Sequence, residues 1–337
     1  MKVLIVGSDS IHVQGFLKNM HLENAEFSFL LETPVTWFNQ KEKVISLRTK
    51  NPIKLLKAYF SIKKYIKELN PDIIHCHQIN RFAFVIACIA KKQNRKLITT
   101  AWGSDVLLVP QKNWIFKKMV QFVLKTSTIV TADATSLIQA MEKLVPSKNK
   151  YISWQYGINT IEPKLKEKII YSNRLHKSLY RIDQIILYFV DFVKINPNWT
   201  LVVGATGSET ENLKQLVKSN DIEEKVKFVG WLNEKENAEW YSKSSIYISI
   251  PESDGTSVSL MEALSANCIP VVSDLAVNHE WIVDKVNGII EKPNMNPLIE
   301  ALSIDKEACY KINQQKISGI TKDNTRLNMM SFYQNLT

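Results

Sequence analysis

No apolar run in this sequence approaches the roughly 20 residues that cross a bilayer as a helix. The longest, residues 82–90, has nine and ends in Lys91-Lys92. The opening MKVLIVGSDS carries no signal-peptide design, because its apolar run is strand-length and stops at Gly7. Cysteine is scarce: Cys76, Cys88, Cys268 and Cys309 are the four, and none sits in a C-x-x-C pair. That excludes a disulfide framework, and the expectation is reduced core thiols in a cytoplasmic protein. There is no short-period repeat, no low-complexity segment and no complete G-x-G-x-x-G fingerprint. Acidic residues are few in the first half: residues 1–157 hold 23 Lys+Arg against 10 Asp+Glu, and the remainder holds 20 against 23. A basic half invites nucleic acid, but no arginine-rich stripe, RNA-binding aromatic motif or zinc spacing accompanies it. The asymmetry implies instead that the two halves meet different partners.

What the chain does contain is an ordinary globular composition, 45% apolar and 23% charged, at a length of 337 residues that exceeds one hydrophobic core. Strand-length apolar runs alternate with amphipathic helices. Strands are expected over 2–6, 27–31, 44–47, 73–76, 97–100 and 128–131, and helices over 14–20, 53–69, 82–92, 114–125 and 135–144. Residues 151–168, with Gly157 and Pro163, break the pattern and read as a connection. The alternation restarts with strands over 169–172, 200–204, 226–229 and 246–250, separated by helices over 182–194, 209–219 and 236–244. Such alternation predicts parallel sheets covered on both faces: two doubly wound, Rossmann-like domains facing each other, with ligands at the C-terminal ends of the strands. The boundaries are 1–157 and 158–310, followed by a helical tail, 311–337, packing back on the first domain.

Polar clusters fall at those strand ends. Gly7 opens a turn that could present N–H groups to a phosphate and that runs on to His12; a plain strand–helix turn explains it equally well. His75 and His77 flank Cys76 and share one face of a strand. As a metal pair they lack a third ligand, so no metal is expected. His77 suits a sugar hydroxyl or acid/base work, and His75 a satisfied core position. Trp102 offers a flat surface to a sugar ring, and Asp105 can cap the next segment. Arg174 ends the first strand of the second half and can reach a diphosphate with its planar fork, with Lys177 as a second cation. Residues 114–125, WIFKKMVQFVLK, interleave Lys117, Lys118 and Lys125 with Trp114, Phe116 and Phe122, as an interfacial helix on an anionic membrane does; a core-facing helix fits as well.

The most concentrated stretch is 247–274, YISIPESDGTSVSLMEALSANCIPVVSD, a strand, a polar turn, a helix and a second strand. Gly255, Thr256 and Ser257 before a helix make an anion site, because the first N–H groups and the helix dipole point outward. Glu262 follows Asp254 by eight residues. Its carboxylate could hold a ribose diol, or it could close a Ser259-x-x-Glu262 capping box.

In order along the chain, GSDSIH, PDIIHCH, TAWGSD, SNRLHKSLYRIDQII, LVVGATGSE and the tract from VKFVGWLNEKE to VVSD resemble the bacterial family-four, or group 1, glycosyltransferases. The resemblance implies the GT-B fold and retaining, metal-independent transfer from a nucleoside diphosphate sugar, UDP favoured over GDP. The acceptor implied is a glycan or lipid-linked glycan of bacterial surface polysaccharide or glycoconjugate synthesis. No cofactor is implied beyond the co-substrate. By the same resemblance Glu262 holds the ribose, and Asp254 stands where the family has glutamate. Arg174, Lys177, Gly7, Gly255, Thr256 and Ser257 serve the phosphates and sugar, and Trp231 and Leu232 lie by the nucleobase. Tyr180 replaces the usual lysine. A common histidine is absent, with Trp102 at about its place, which leaves His77, Asp105, Trp102 and His12 for the sugar or acceptor side. The resemblance further implies a cytoplasmic enzyme peripheral to the inner face of the membrane, the basic first domain meeting an anionic surface. Two other classes stay open: a GT-B epimerase or phosphorylase, and a non-catalytic sugar-nucleotide-binding subunit.

Overall fold

The structure, a computed structural model, describes residues 1–8, 13, 16, 25–34, 42–147, 150–155 and 157–336. The helix expected over 14–20 falls, apart from Phe16, outside these residues, as does His12. The chain divides into two compact units: Met1–Tyr156 with Lys322–Thr337, and Gly157–Thr321. Residues 311–321, read with the tail from sequence, therefore belong to the second unit.

The first unit is built on a parallel sheet of β1 (Lys2–Gly7), β2 (Glu26–Leu31), β3 (Glu42–Val44), β4 (Ile73–His77), β5 (Lys96–Thr100), β6 (Ile129–Ala132) and β7 (Tyr151–Ser153). Their order is β3-β2-β1-β4-β5-β6-β7. β1, β4 and β5 are buried along nearly their whole lengths, and β1 accordingly reads as an unbroken apolar run rather than an alternation. Helices α1 (Pro52–Leu69), α2 (Arg81–Gln93), α3 (Trp114–Thr126) and α4 (Thr135–Leu144) connect β3 to β4, β4 to β5, β5 to β6 and β6 to β7. Two expectations are corrected here. Residues 151–153 are the edge strand β7 and not part of a bare connection. The third strand is Glu42–Val44 and not 44–47, because its partner β2 ends at Leu31: the Ile45 N–H makes the last bond to that strand, to the Leu31 carbonyl at 3.0 Å.

The second unit carries β8 (Glu167–Ser172), β9 (Thr200–Gly204), β10 (Val226–Gly230), β11 (Ser244–Ser249), β12 (Ile269–Val272) and β13 (Ile289–Ile290), all parallel, in the order β10-β9-β8-β11-β12-β13. Alternate residues of each strand feed two cores. Ile170, Leu201, Val203, Ile246 and Ile248 pack against α5 (Ile182–Ile195) and α6 (Thr210–Ser219). Ile169, Tyr171, Val202, Tyr247 and Val272 pack on the other side with Tyr241 of α7 (Glu234–Lys243) and Leu260, Met261 and Leu264 of α8 (Val258–Ser265). Helix α9 (Lys306–Ile317) completes this unit. Helix α10 (Lys322–Gln334) returns to the first unit, where Met329 and Tyr333 join Val3, Ile5, Phe29 and Ile73 in one buried cluster.

Candidate active site

In each sheet the strand order reverses once, between β1 and β4 in the first unit and between β8 and β11 in the second. Chain segments leaving two such neighbouring strands go to opposite faces, which opens a crevice at their C-terminal ends. Gly7 and His77 end the two strands at the first reversal, and Arg174 and the turn from Asp254 to Ser257 follow the two strands at the second.

In the second unit, β8 leads into Asn173 and Arg174, and β11 leads into the turn that ends at α8. Arg174 Nη2 donates to Asp254 Oδ2 at 2.7 Å, and its Nη1 donates to Ser257 Oγ at 2.5 Å. The guanidinium lies over the Tyr180 ring, 4.6 Å from its centroid. The side chain is only 11% exposed. Burial alone would make it less basic, but the Asp254 carboxylate together with the Tyr247 and Tyr180 phenols outweighs that and raises its pKa, so Arg174 stays a cation. Asp254 Oδ1 accepts from the Gly255 N–H at 3.1 Å, which fixes the carboxylate to its own turn. Lys177 is exposed on the loop beyond Arg174.

Ser257 is the N-cap of α8: its hydroxyl accepts from Leu260 N–H at 3.4 Å. Ser259 is thus inside the helix, and the Ser259-x-x-Glu262 capping box is overturned. Glu262, in the second turn, accepts instead from Asn237 Nδ2 at 3.4 Å. Asn237 is set for this by its other end, where Oδ1 accepts from Tyr171 Oη at 2.5 Å and from Asn173 Nδ2 at 3.0 Å. Asn173 also donates to Tyr241 Oη at 2.9 Å and accepts from Tyr247 Oη at 3.3 Å. Burial raises the pKa of all three phenols, so they remain neutral, Tyr171 and Tyr247 as donors and Tyr241 as acceptor. A tyrosine–asparagine network therefore lies under the site and ends on the Glu262 carboxylate.

Gly230 ends β10 at φ 70°, a left-handed conformation that favours glycine, and its carbonyl accepts from Ala205 N–H at 2.7 Å. The turn exposes Trp231 beside the sheet edge, while Leu232 packs inward on the same side as Tyr241.

At the reversal in the first unit, Gly7 ends β1 so tightly that an added Cβ would stand 3.1 Å from Val13 Cγ2 and 3.7 Å from His77 Cβ. His77 is buried, stacked between the rings of His75 at 4.3 Å and Trp102 at 5.9 Å, so it is a core residue rather than an exposed cleft side chain. His75 fits the expected core role: Nε2 bonds Thr100 Oγ1 at 2.6 Å, Nδ1 bonds Tyr333 Oη, and burial lowers its pKa well below the usual value. With both ring nitrogens engaged it has no lone pair for a metal.

Asp105 is a correction. It neither faces the acceptor nor caps a helix. The N-cap of the short helix Ser104–Leu107 is Gly103, at φ 106°. Asp105 is buried, and its carboxylate accepts from Ile79 N–H at 2.8 Å and from Trp102 N–H at 3.0 Å. It braces the loops after β4 and β5 against each other. Burial raises its pKa to about 6, against the lowering effect of those N–H groups.

Two family profiles match along the chain: "Glycosyl transferase 4-like" over residues 2–134 and "Glycosyl transferases group 1" over residues 158–316. The chain belongs to the group 1, family-four glycosyltransferases. An uncharacterized glycosyltransferase of Haemophilus influenzae is 27% identical over 285 residues, 80% of this chain and 77% of that protein. Among solved structures, Anabaena HepE in complex with UDP and glucose superposes with a TM-score of 0.81 at 14% identity, covering 99% of this chain and 100% of that one. The pneumococcal O-GlcNAc transferase GtfA, in complex with UDP and GlcNAc, gives 0.70 at 14% identity over 82% of this chain and 59% of that one. These likenesses show the GT-B fold.

Within this glycosyltransferase the residues missed from sequence are Asn173, Asn237, Tyr171, Tyr241 and Tyr247. A signal was present, in that a tyrosine follows the aliphatic Ile169-Ile170 and stands between Ile246 and Ile248, and the two tyrosines are register partners in β8 and β11.

Proposed function

We propose that this glycosyltransferase moves a hexosyl or N-acetylhexosaminyl group from a UDP-sugar to a glycan or lipid-linked glycan, with retention and without a metal. The observation that carries the proposal is the clamp of Arg174 between Asp254 and Ser257 at the start of α8, with Glu262 one turn further on. The two similar structures hold UDP with a hexose or an N-acetylhexosamine, which favours uridine as the base.

In this reading the second unit is the donor side. Arg174 and the N–H groups at Gly255–Ser257 take the negative charge that grows on the departing diphosphate, with Lys177 adding to it. Asp254 and Ser257 already orient the guanidinium, so little reorganisation is needed at the moment of bond cleavage. Asp254 accepts hydroxyls of the donor sugar with its remaining lone pairs. Glu262 accepts both ribose hydroxyls, and Trp231 and Leu232 flank the base. The first unit is the acceptor side, where Gly7 and Trp102 stand at the C-terminal ends of β1 and β5. Its basic character suits an anionic carrier lipid at the inner membrane face. No carboxylate is assigned as a nucleophile; the leaving diphosphate takes the proton of the incoming hydroxyl.

Thermal-shift titration with the uridine, guanosine, cytidine and adenosine diphosphates tests the base, since a ligand well above its Kd stabilises by mass action. Stabilisation by UDP alone supports the reading, and stabilisation by GDP alone overturns the choice of base. Incubating UDP-sugars without acceptor separates transfer from epimerisation, because an epimerase converts the donor by itself.

A further inference from the structure

Helix α1 carries two apolar stripes. Ala58, Ile62 and Ile66 are buried against the sheet. On the opposite side Ile53, Leu56 and Phe60, at the i, i+3, i+7 spacing of one helical face, are each more than half exposed. Helix α3 repeats the arrangement in its first turn. Val120, Val123 and Leu124 are buried, while Trp114, Ile115 and Phe116 are exposed, Trp114 by 73%. Scattered exposed apolar residues are normal, but six large ones gathered in the N-terminal halves of two helices are a patch.

The topology puts the two patches at one edge. α1 and α3 each join parallel strands by a right-handed crossover travelling in the same direction, so they lie on the same face of the sheet. Both run antiparallel to the strands, so both first turns stand at the C-terminal edge, with Gly7 and His77. α2 lies between and touches both: Phe84 packs on Phe122 at 5.2 Å and Lys92 Nζ stands 5.8 Å from the Tyr59 ring centre. With helices about 10 Å across, the two patches are roughly 20 Å apart.

The charges around them have one sign. α1 carries Lys54, Lys57, Lys63, Lys64 and Lys67 with Glu68 as its one acid, and α3 carries Lys117, Lys118 and Lys125 with none. A second copy of this chain seated on the face would bring these lysines against each other. An anionic bilayer complements both features: the apolar side chains enter the acyl boundary while the lysines extend to the headgroups.

We propose that α1 and the first turn of α3 form a two-point docking face for an anionic phospholipid surface, with Ile53, Leu56, Phe60, Trp114 and Phe116 as the inserting residues. The principal contact is α1, which from sequence reads only as an amphipathic helix with a basic polar side. Docking there sets the acceptor edge of the first unit against the membrane. That consequence rests on the lipid-linked acceptor reading above; the docking itself does not.

The test is flotation of the full chain with phosphatidylglycerol or phosphatidylcholine vesicles, for the wild type, Ile53→Ser/Leu56→Ser/Phe60→Ser, Trp114→Ser/Phe116→Ser, and Lys57→Gln/Lys64→Gln. UDP-induced thermal stabilisation and light-scattering mass are measured on the same samples. The proposal expects binding to phosphatidylglycerol at least tenfold tighter than to phosphatidylcholine, weakened in high salt. Each variant should lose at least fivefold, with UDP stabilisation unchanged. Wild type indifferent to phosphatidylglycerol, or variants floating like wild type, overturns it. A mass that halves in the apolar variants also overturns it, since the occupant is then a second copy. Vesicle binding without UDP stabilisation sustains the docking face and removes the donor reading instead.

Discussion

Arg174 and Asp254 are 80 residues apart in the chain and 2.7 Å apart in the fold. β8 and β11 are sheet neighbours only because the strand order reverses there, so the pair marks the crevice. An arginine in this place is not replaceable by another cation. Lysine keeps the charge but loses the fork that holds Asp254 and Ser257 at once. Arg174→Lys and Arg174→Ala should both lower kcat/KM, with the alanine variant down about 10²–10³-fold, on the order of 2.7–4 kcal/mol. Steady-state kinetics with the donor varied checks this.

Asp254 spends one oxygen on Arg174 and the other on the Gly255 N–H. Asp254→Asn removes its negative charge from the diphosphate site while keeping the shape. UDP should then bind at least as tightly as to wild type, whereas the preference for UDP-sugar over UDP should fall by about tenfold, one lost hydrogen-bonded group being worth about 1–1.5 kcal/mol. Competitive titration of UDP and UDP-sugar reads both.

Asn237 aims Glu262 without standing at the site itself. Asn237→Leu leaves the carboxylate without that donor and Tyr171 without its acceptor. The donor KM should rise about five- to tenfold with kcat within about threefold, from the loss of roughly 1–1.5 kcal/mol of orientation. Equal losses in kcat and KM across Asn237→Leu and Asn237→Gln would point to general loosening of the unit.

Much of this architecture was legible in the sequence, and the illegible parts have physical causes. Buried parallel strands such as β1 and β9 announce themselves as continuous apolar runs. β7 does not, because Tyr151–Ser153 is a three-residue edge strand with one face partly open. Glu262 carried two meanings because Ser259 has capping-box spacing from it; only the observed cap at Ser257 decides between them. The network through Asn173 and Asn237 depends on side chains from β8, α7, α8 and β11 meeting in space, which no local window reveals. His77 sits at a strand end, as a ligand residue would, but the rings of Trp102, His75 and Phe16 enclose it.

Asp105 makes stability depend on pH with a definite sign. Its folded pKa of about 6 lies above the ordinary 3.8, so the folded state holds the proton more tightly than the unfolded chain. The penalty of burying the carboxylate is fully present above about pH 6 and is relieved as pH falls toward 4. Relative to Asp105→Asn, wild-type stability should rise by on the order of 2–3 kcal/mol between pH 7 and pH 4. Urea unfolding of both proteins across that range measures it.

Tyr333 closes the first unit from the far end of the chain, bonding His75 and filling the cluster with Met329. Tyr333→Phe should cost about 1–2 kcal/mol, the hydrogen bond to a buried histidine. Met329→Ala should cost about 2–5 kcal/mol, because it leaves a cavity. Chemical denaturation compares the two.

The central claim is that the clamp at the start of α8 holds the diphosphate of a uridine nucleotide. Isothermal titration of UDP into wild type and Arg174→Ala tests it most directly. Saturable binding to wild type, weakened at least about 30-fold in the variant (about 2 kcal/mol), is the predicted result. Equal affinity in the two proteins, or no binding to wild type, would contradict it.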